Sequence, residues 1–171
     1  MSTSIYQRLE LTGYRFGRDV IRLMRIKPGK KGSLIDAFLV TQTTKSDEIK
    51  YEALSYVWGD SSMRTEIKLC GQTFSVTMNL EAALQQIRLT DETRTLWVDA
   101  ICINQEDIME RSSQVLLMNE IYGKSTKVLV WLGSDNLVAE GLQAFLKSMN
   151  DNEHINCCVK NLGNSSSACG N

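Results

Sequence analysis

The chain has 171 residues, of which 43% are hydrophobic and 23% are charged, proportions typical of a globular domain with one substantial core. Its formal net charge of -1 at pH 7 gives no electrostatic basis for binding nucleic acid or an anionic membrane. No apolar run approaches the roughly 20 residues of a membrane-spanning helix, and residues 1–10 lack the apolar stretch of a signal peptide. These features predict a cytoplasmic protein without a membrane segment.

Five runs rich in β-branched and aromatic residues are predicted strands in the first half of the chain. They are residues 20–27, 34–41, 51–58, 65–70 and 73–77. The first two runs flank a Pro-Gly loop and are predicted to form a hairpin. The last two flank Gly71-Gln72, where glycine at the first central position suits a type II′ turn, and are predicted to form a second hairpin.

The second half of the chain is predicted to contain a βαβ unit. Residues 96–105 and 127–132 have the apolar content of buried strands, and a helix over residues 105–123 connects them. Such strands are expected to be parallel neighbours joined by a right-handed crossover.

Two amphipathic helices are predicted to flank this unit. The first follows Asn79, a good N-cap, and the second covers residues 137–149. The chain therefore divides into an N-terminal arm (1–19), one domain (20–149) and a C-terminal segment (150–171). In that last segment Asn, Ser and Gly dominate, which predicts a flexible tail or the truncated start of another region. The five cysteines are odd in number and include no Cys-x-x-Cys pair, so reduced thiols without a metal site are expected.

The inward face of the predicted helix over residues 105–123 changes from polar to apolar along the helix. Its inward arc contains Asp107 and Arg111 in the first two turns, with Glu110 at the edge of the arc, and becomes apolar later. Because the helix begins where a strand ends, its polar start is expected at the carboxyl edge of the sheet, where open α/β folds bind ligands. Asn104 is the predicted N-cap.

The end of the strand over residues 51–58 brings further candidates to the same edge, if this strand runs parallel to the other two. These candidates are Ser55, Tyr56, Trp58, Gly59 and Asp60. The sequence thus predicts one polar corner built from two strand ends and a helix start. Plain structural interpretations stay open, because Asp107 with Arg111 is also an ordinary i, i+4 ion pair and the three tryptophans are also suitable core residues.

Asp99 places a carboxylate within an otherwise apolar predicted strand. Strand alternation puts it on the face of Trp97 and Ile101, where an unpaired carboxylate costs roughly several kcal/mol. It is therefore expected to accept hydrogen bonds from backbone amides near residues 55–60 or from Arg111. In that role it braces the corner, and Asp99→Asn is expected to lower the melting temperature.

Several motif blocks resemble the fungal heterokaryon-incompatibility (HET) domain. They include YEALSYVWGD at residues 51–60, LWVDAICINQ at residues 96–105, DIMER at residues 107–111, and Ile121 to Gly133. All appear in the family's order across residues 51–133, the motif core. The resemblance implies a domain of fungal self/non-self recognition whose activation triggers regulated cell death. It also implies self-association or an unknown protein partner or regulatory domain.

The HET domain is distantly similar to the Toll/interleukin-1 receptor (TIR) domain. This similarity implies an α/β, flavodoxin-like three-layer fold with a mostly parallel central sheet, carrying two inserted or added β-hairpins. Some TIR domains cleave NAD, so NAD is a candidate substrate here, with no permanently bound cofactor. Cleavage builds oxocarbenium-like charge on the ribose, which a carboxylate stabilises. Glu110, which matches the HET motif, is the first candidate for that carboxylate, and Glu140 is the second.

The remaining candidates would bind the substrate. They are Ser55, Tyr56, Trp58, Gly59, Asp60, Asp99, Asn104 and Arg111. In this scheme Trp58 stacks on a ring, while Arg111 and the helix start receive the pyrophosphate.

Two other functions are also compatible with these residues. The first is a non-enzymatic death-signalling module that self-associates or binds a partner, in which the polar corner is purely structural. The second is a nuclease in which Asp99, Asp107 and Glu110 hold a divalent metal, although the charge that nucleic-acid binding needs is missing.

Overall fold

The computed structural model describes residues 5–6, 20–46, 48–133 and 157–159, the last three by their backbone. The strands are β1 (Val20–Ile26), β2 (Asp36–Thr43), β3 (Glu52–Tyr56), β4 (Arg64–Leu69), β5 (Gln72–Thr77), β6 (Arg94–Trp97), β7 (Lys127–Trp131) and β8 (Cys157–Val159). The helices are α1 (Met78–Ile87), α2 (Asp99–Cys102) and α3 (Ile108–Lys124). The predicted helix over residues 137–149 and most of segments 1–19 and 150–171 lie outside the described residues.

All eight strands belong to one mixed sheet in the order β5-β4-β2-β1-β6-β3-β7-β8. β3 pairs in parallel with β6 and β7, β7 with β8, and β2 with β4. β1 is antiparallel to both β2 and β6, and β4 is antiparallel to β5. The predicted flavodoxin-like fold with a mostly parallel sheet is therefore wrong.

The first hairpin is part of the central sheet rather than an addition to it. β1 lies between β2 and β6, and its residues Ile21 to Met24 are all buried. A strand with both faces covered belongs in the interior of a sheet, which explains why β1 occupies a central place. The prediction of this hairpin is confirmed, but its description as an insertion or addition is not.

β6 and β7 are parallel but are not neighbours. β3 lies between them, with Glu52 opposite Leu96 on one side and opposite Lys127 on the other. The connection through α3 therefore passes over β3. The predicted direction of the βαβ unit is confirmed, and its predicted strand adjacency is wrong.

The turn of the second hairpin lies one residue earlier than predicted. Leu69 pairs with Gln72, so Cys70 and Gly71 are the central residues. Both have positive φ, 51° and 81°, which is the requirement of a type I′ turn. The prediction of a type II′ turn at Gly71-Gln72 is wrong.

The predicted strand over residues 96–105 ends at Trp97. Asp99 to Cys102 form the short helix α2, in which the Cys102 amide donates to the Val98 carbonyl at 2.7 Å. An apolar run of this length suits a buried helical turn as well as a strand, so its composition did not decide between them. Asp99 is consequently the first residue of a helix, and strand alternation does not set its direction.

The apolar stripe of α1 is confirmed, because Leu80, Ala83, Leu84 and Ile87 are buried. Thr77, and not Asn79, is its N-cap, and its side chain accepts a hydrogen bond from the Leu80 amide. Asn79 instead accepts a hydrogen bond from the Trp131 indole at 2.9 Å and donates to the Val57 carbonyl. It thereby joins the end of β3 to β7.

The long helix α3 starts at Ile108, three residues later than predicted, and its N-cap is Asp107 rather than Asn104. The Asp107 carboxylate accepts from the amides of Met109 and Glu110, both at 3.0 Å. Asn104 accepts from the Glu106 amide in the preceding loop at 3.2 Å.

We predict that Asp107→Ala lowers the free energy of unfolding by roughly 0.5–2 kcal/mol, because it removes both capping bonds of α3. Asn104→Ala is the matched control, because it keeps the backbone amide of residue 104 and leaves the cap of α3 intact. Urea denaturation followed by circular dichroism measures both variants. Equal losses for the two variants would contradict the assignment of the cap.

Within the described part of the chain, none of the helices has the length and apolar character needed to cross a membrane. The core lies between the sheet and the helices and includes the fully buried Trp97 and the buried Trp131.

Candidate functional site

A cavity of about 680 Å³ opens beside the carboxyl end of β3. Its walls come from Tyr56 at the end of β3, Trp58 in the loop that follows, Arg64 and Phe74 on the second hairpin, and the loop around Glu106. β5 is the first strand in the sheet order and β3 is the sixth, so the sheet must curve strongly to bring both to one cavity. The predicted edge is thus the location of a concave site.

An aromatic pair forms one wall of this cavity. The rings of Tyr56 and Trp58 are nearly parallel, with an interplanar angle of 5° and centroids 6.5 Å apart. Trp58 is 51% exposed, although Trp97 and Trp131 are buried. A large exposed ring beside a loop is available to a planar ligand, whereas the two buried tryptophans are core residues.

Asp99 lies directly behind this aromatic wall. Its carboxylate accepts a hydrogen bond from the Ala100 amide at 2.7 Å and another from the side chain of Trp58. Ala100 and Trp58 both line the cavity, so the charge lies one layer from its surface. Burial raises the pKa of Asp99, and the two hydrogen bonds oppose this effect only in part.

Two tyrosines share the neighbourhood of Asp99. Burial raises the pKa of the Tyr56 and Tyr122 hydroxyls, and the negative charge of Asp99 raises each pKa further. Ser55 hydrogen-bonds the side chain of Tyr122, whose hydroxyl also donates to the Leu54 carbonyl at 3.3 Å. The end of β3 and the start of α2 therefore form one cluster of polar groups.

Arginines supply positive charge around the same cavity. Arg64 is held in place by Ser75, whose hydroxyl accepts from its Nε at 2.8 Å and whose carbonyl accepts from its Nη2 at 2.7 Å. Arg111, in the first turn of α3, is exposed and lines the cavity with Asn104. Glu106 is an acid in the same wall.

Glu110 takes part in a buried ion pair with Arg22 of β1. Both carboxylate oxygens accept from the guanidinium, the second at 3.1 Å, and Oε1 also accepts from the Asn104 amide at 2.7 Å. Arg22 is only 2% exposed and Glu110 8% exposed. Arg22 also donates to the Cys102 carbonyl at 3.3 Å, so the pair fixes the loop between α2 and α3 to the central strand.

Tyr6 lies across this ion pair. Its hydroxyl donates to the Ile101 carbonyl at 3.1 Å, and the Arg22 guanidinium lies 5.1 Å from the centre of its ring. The ring also meets Phe74 edge-on at 6.2 Å and contributes to the cavity. Ile5 and Tyr6, both near the N-terminus, thus complete a wall that is otherwise built from residues 56 to 111.

The family model described as "Heterokaryon incompatibility protein (HET)" matches residues 51–167, more than half of the chain. The chain belongs to the HET family. It is similar to "Heterokaryon incompatibility protein 6, OR allele" of Neurospora crassa, with 39% identity over 122 residues. The match covers 59% of this chain and 18% of that relative, so the chain spans less than a fifth of the relative's length. No solved structure is significantly similar to the chain.

The HET motif blocks supply six of the seventeen described residues that line the cavity, and the second hairpin supplies another six. The structure brings Ser55, Tyr56, Trp58 and Asp99 together, and places Asn104 and Arg111 in the wall around the same cavity. Glu110 does not line the cavity, because it is engaged with Arg22 behind the loop. Glu140 lies outside the described residues.

Gly59 and Asp60 of the first HET block shape the loop after β3. Gly59 has a φ of 70°, and a Cβ at that position would lie 3.3 Å from the Cβ of Asn79. Asp60 accepts hydrogen bonds from the hydroxyl and amide of Ser62, which lower its pKa. Neither residue lines the cavity, although their neighbour Ser61 does.

The three acids proposed for a metal site are engaged separately in the HET domain. Asp107 caps α3, Glu110 pairs with Arg22, and Asp99 bonds Ala100 and Trp58. Among the residues that the structure describes, no three His, Cys, Asp or Glu side chains come together as a metal site. The thiol of Cys102 is buried, and burial raises its pKa to about 12, as expected for an unreactive cysteine.

Arg22, Arg64 and Tyr6 were missed by sequence reasoning. Arg22 had a usable signal, because it stands within the strand Val-Ile-Arg-Leu-Met-Arg-Ile, whose other members are mostly apolar. A charge in such a strand needs a buried partner. Arg64 and Tyr6 had no comparable signal, since Arg64 reaches the cavity through the curvature of the sheet and Tyr6 through contacts with residues that are distant in sequence.

We predict that Asp99→Asn stabilises the HET domain near neutral pH, which reverses the sequence-based expectation. Well below pH 3.8, the ordinary pKa of an aspartate, the carboxyl is protonated in both folded and unfolded chains. Because burial raises the folded pKa, the unfolded chain ionises first as the pH rises, and the stability of the wild-type protein falls through that window. The stability that the wild-type protein loses in that window is not regained at neutral pH. Asp99→Asn avoids this loss, because asparagine does not ionise.

Thermal unfolding of both proteins from pH 3 to 7 measures this effect. The melting temperature of Asp99→Asn should rise relative to wild type as the pH increases. Asp91→Asn, which alters an exposed carboxylate, is the control for the change in net charge. If the difference in melting temperature between Asp99→Asn and wild type stayed constant across the pH range, burial of the ionised Asp99 would not lower the stability of the wild-type protein.

Proposed function

We propose that this HET domain acts in fungal heterokaryon incompatibility, converting non-self recognition in the cytoplasm into regulated cell death. The HET match over residues 51–167 is the observation that carries the proposal, and the name of the Neurospora crassa relative supports it. Triggering requires a protein partner, a regulatory region or self-association. The cavity around Trp58 is the part of the domain that we assign to this activity.

Inducible expression of the full chain in Neurospora crassa hyphae tests this proposal. Dye uptake after induction should rise with the wild-type chain and stay near background with Trp58→Ala. Met109→Ala is the matched control, because Met109 is also an exposed large side chain, 76% exposed, but does not line the cavity. Survival of hyphae that contain folded wild-type chain, either alone or forced to associate, would overturn the proposal.

A second candidate, hydrolysis of NAD, is favoured by the composition of the cavity. An exposed aromatic wall beside two arginines suits a ligand that combines a planar ring with phosphates. Nicotinamide leaves as a neutral molecule, so the reaction needs a carboxylate to stabilise the ribosyl cation and no strong general acid. In the described part of the domain, Asp99 is the carboxylate bonded to the aromatic wall, and Glu106 is an acid that lines the cavity.

Glu110 is less suited to that role than its position in the HET motif implied. Its oxygens accept hydrogen bonds from Arg22 and from the Asn104 amide, so reaching a substrate requires breaking a buried ion pair. The engagement of Glu110 supports the alternative in which the domain signals by self-association or partner binding without chemistry. In that case the polar corner serves to hold the loop between α2 and α3.

Nicotinamide release from NAD by concentrated pure protein distinguishes the two candidates. We expect release by the wild-type chain, retention of release in Glu140→Gln, and its loss in Asp99→Asn. Absence of release from wild-type protein under assembled conditions excludes the enzymatic candidate and leaves the signalling module. Loss of release in Glu140→Gln alone would move the chemistry to a residue outside the described part.

A further inference from the structure

The strand β5 forms one edge of the sheet. Among the strands that the structure describes, it pairs only with β4. Its sequence, Gln-Thr-Phe-Ser-Val-Thr, contains no proline and no charged side chain, which are the residues that commonly protect an exposed edge from further pairing. Within the described part of the chain, this edge is therefore accessible to another extended segment.

Alternate backbone groups of β5 point away from β4. Leu69 and Gln72 close the type I′ turn and so exchange hydrogen bonds with each other. The backbone groups of Thr73 and Ser75 consequently point to the free edge. The Ser75 carbonyl agrees with this direction, because it accepts a hydrogen bond from Nη2 of Arg64 at 2.7 Å. Thr73 and Ser75 are both exposed, so their amides are positioned to donate to an added strand.

The cavity extends along this edge rather than lying against one face of β5. Phe74 and Val76 line it, and so does Ser75, although successive residues of a strand point to opposite faces of the sheet. A cavity that meets both sets of side chains must reach round the edge of the strand. It therefore provides space beside β5 for the backbone of a further strand.

An added strand would direct its alternate side chains into two different environments. On the concave side it meets the half-buried ring of Phe74 and the exposed ring of Trp58. On the opposite side the exposed residues of β4 are Arg64, Glu66 and Lys68, so positive charge prevails there. The segment best suited to this edge is one in which apolar and acidic residues alternate.

A second copy of the chain is a poor occupant of the same edge. Symmetric pairing of β5 with β5 of another copy would place both Arg64 side chains on the same face of the joined sheet. Each of these guanidinium groups is held at the edge by Ser75, whose hydroxyl accepts from Nε at 2.8 Å. Because like charges close together across a strand pair are destabilising, the edge favours a partner that brings acids.

We propose that the free edge of β5 binds an extended segment of a partner protein by strand addition, with apolar side chains directed into the cavity beside Phe74 and acidic side chains directed to Arg64. The inference rests on the partner-binding form of the proposed function, and it specifies the chemistry of the partner. Backbone hydrogen bonds supply the affinity in such complexes, and the alternate side chains supply the specificity.

Hydrogen exchange at the edge of β5 tests the proposal. The probe is the blocked peptide acetyl-Val-Glu-Val-Glu-Val-Glu-amide, added at saturation to the full chain and followed by NMR. We expect the Thr73 and Ser75 amides to exchange rapidly in the free protein and about tenfold more slowly with the peptide. The amide of Thr90, exposed in the loop before β6, should not change. Equal exchange rates with and without peptide overturn the proposal.

Changed peptides test the alternation and the charge. A peptide of the same composition in the order Val-Val-Val-Glu-Glu-Glu should bind about tenfold more weakly, because its side chains cannot sort between the two faces. Replacing every glutamate by glutamine should weaken binding to the wild-type chain about threefold and leave binding to Arg64→Gln unchanged. Lys31→Gln removes an exposed cation from the first hairpin and should keep the threefold preference. A preference that survives Arg64→Gln overturns the role of Arg64.

Removal of backbone donors tests the strand pairing itself. Thr73→Pro deletes an amide that points away from β4, so it should weaken the alternating peptide about tenfold, whereas Thr73→Ala should not. Two N-methylated peptides test the same bonds without altering the protein. One is methylated at its valines and the other at its glutamates, and only the one whose methyl groups face β5 should lose binding. Equal binding of both methylated peptides overturns strand addition.

The outcomes distinguish this inference from the proposed function, because dye uptake by induced hyphae is measured without any peptide. Hyphae that die on induction, while the peptide leaves Thr73 and Ser75 unprotected, overturn the inference alone. Protection by the peptide together with survival of the hyphae removes the proposed function and keeps the binding edge. Protection of both amides in the free protein makes a second copy or the chain itself the occupant, and overturns the choice of partner.

Discussion

Replacing Glu110 with glutamine should lower the free energy of unfolding by roughly 3–5 kcal/mol, because it leaves the Arg22 guanidinium buried without its counter-charge. Urea denaturation followed by circular dichroism measures the loss. The control is Glu120→Gln, since Glu120 and Lys124 form an i, i+4 pair with both side chains 38% exposed. That change should cost less than about 0.5 kcal/mol. A loss below about 1 kcal/mol for Glu110→Gln would contradict the assignment of a buried pair.

The double variant Arg22→Met with Glu110→Leu separates structure from chemistry at this position. Exchanging both partners for apolar residues removes the uncompensated charge, so the double variant should be more stable than Glu110→Gln. If Glu110 is structural, the folded double variant keeps the cell-death activity that we propose for the domain. A folded but inactive double variant would instead indicate that Glu110 takes part in the activity directly.

Trp97→Ala should cost roughly 3–5 kcal/mol of stability, whereas Trp58→Ala should cost less than about 1 kcal/mol. Trp97 is 0% exposed and meets the ring of Tyr122 edge-on at 5.5 Å, but Trp58 is 51% exposed. Chemical denaturation followed by circular dichroism compares the two without relying on tryptophan fluorescence. Trp58→Ala should keep its fold and lose the activity assigned to the cavity. A large loss of stability at Trp58 would instead make it a structural residue like Trp97.

Local patterns were sufficient to predict several elements. The stripe of Leu80, Leu84 and Ile87 is compatible with a helix and with little else, and the first hairpin has strong strands on both sides of a Pro-Gly loop. The region around Asp99 could not be decided in the same way. Residues 96–98 and 101–103 on either side of Asp99 are all buried and apolar, and such runs lose the period that distinguishes a strand from a helix.

Long-range partners account for the remaining errors. Nothing near β3 in the sequence indicates that it inserts between β6 and β7, because this order depends on pairings across more than 40 residues. Glu110 falls at the edge of the inward arc of α3, but its partner Arg22 lies 88 residues away. The sequence therefore indicated which residues of the corner were unusual, and the fold determined that Glu110 braces the loop while Trp58 faces the cavity.

The curvature of the sheet has a consequence for when the cavity comes into existence. Its walls are contributed by Tyr6, by the ends of β3 and β5, and by the loop that precedes α3. No short stretch of the chain therefore contains the whole cavity. A chain emerging from the ribosome lacks the cavity until residue 111 has been synthesised and the central strands have paired. Any activity proposed for this cavity therefore depends on completed pairing of these distant strands, and nascent or misfolded copies lack the site.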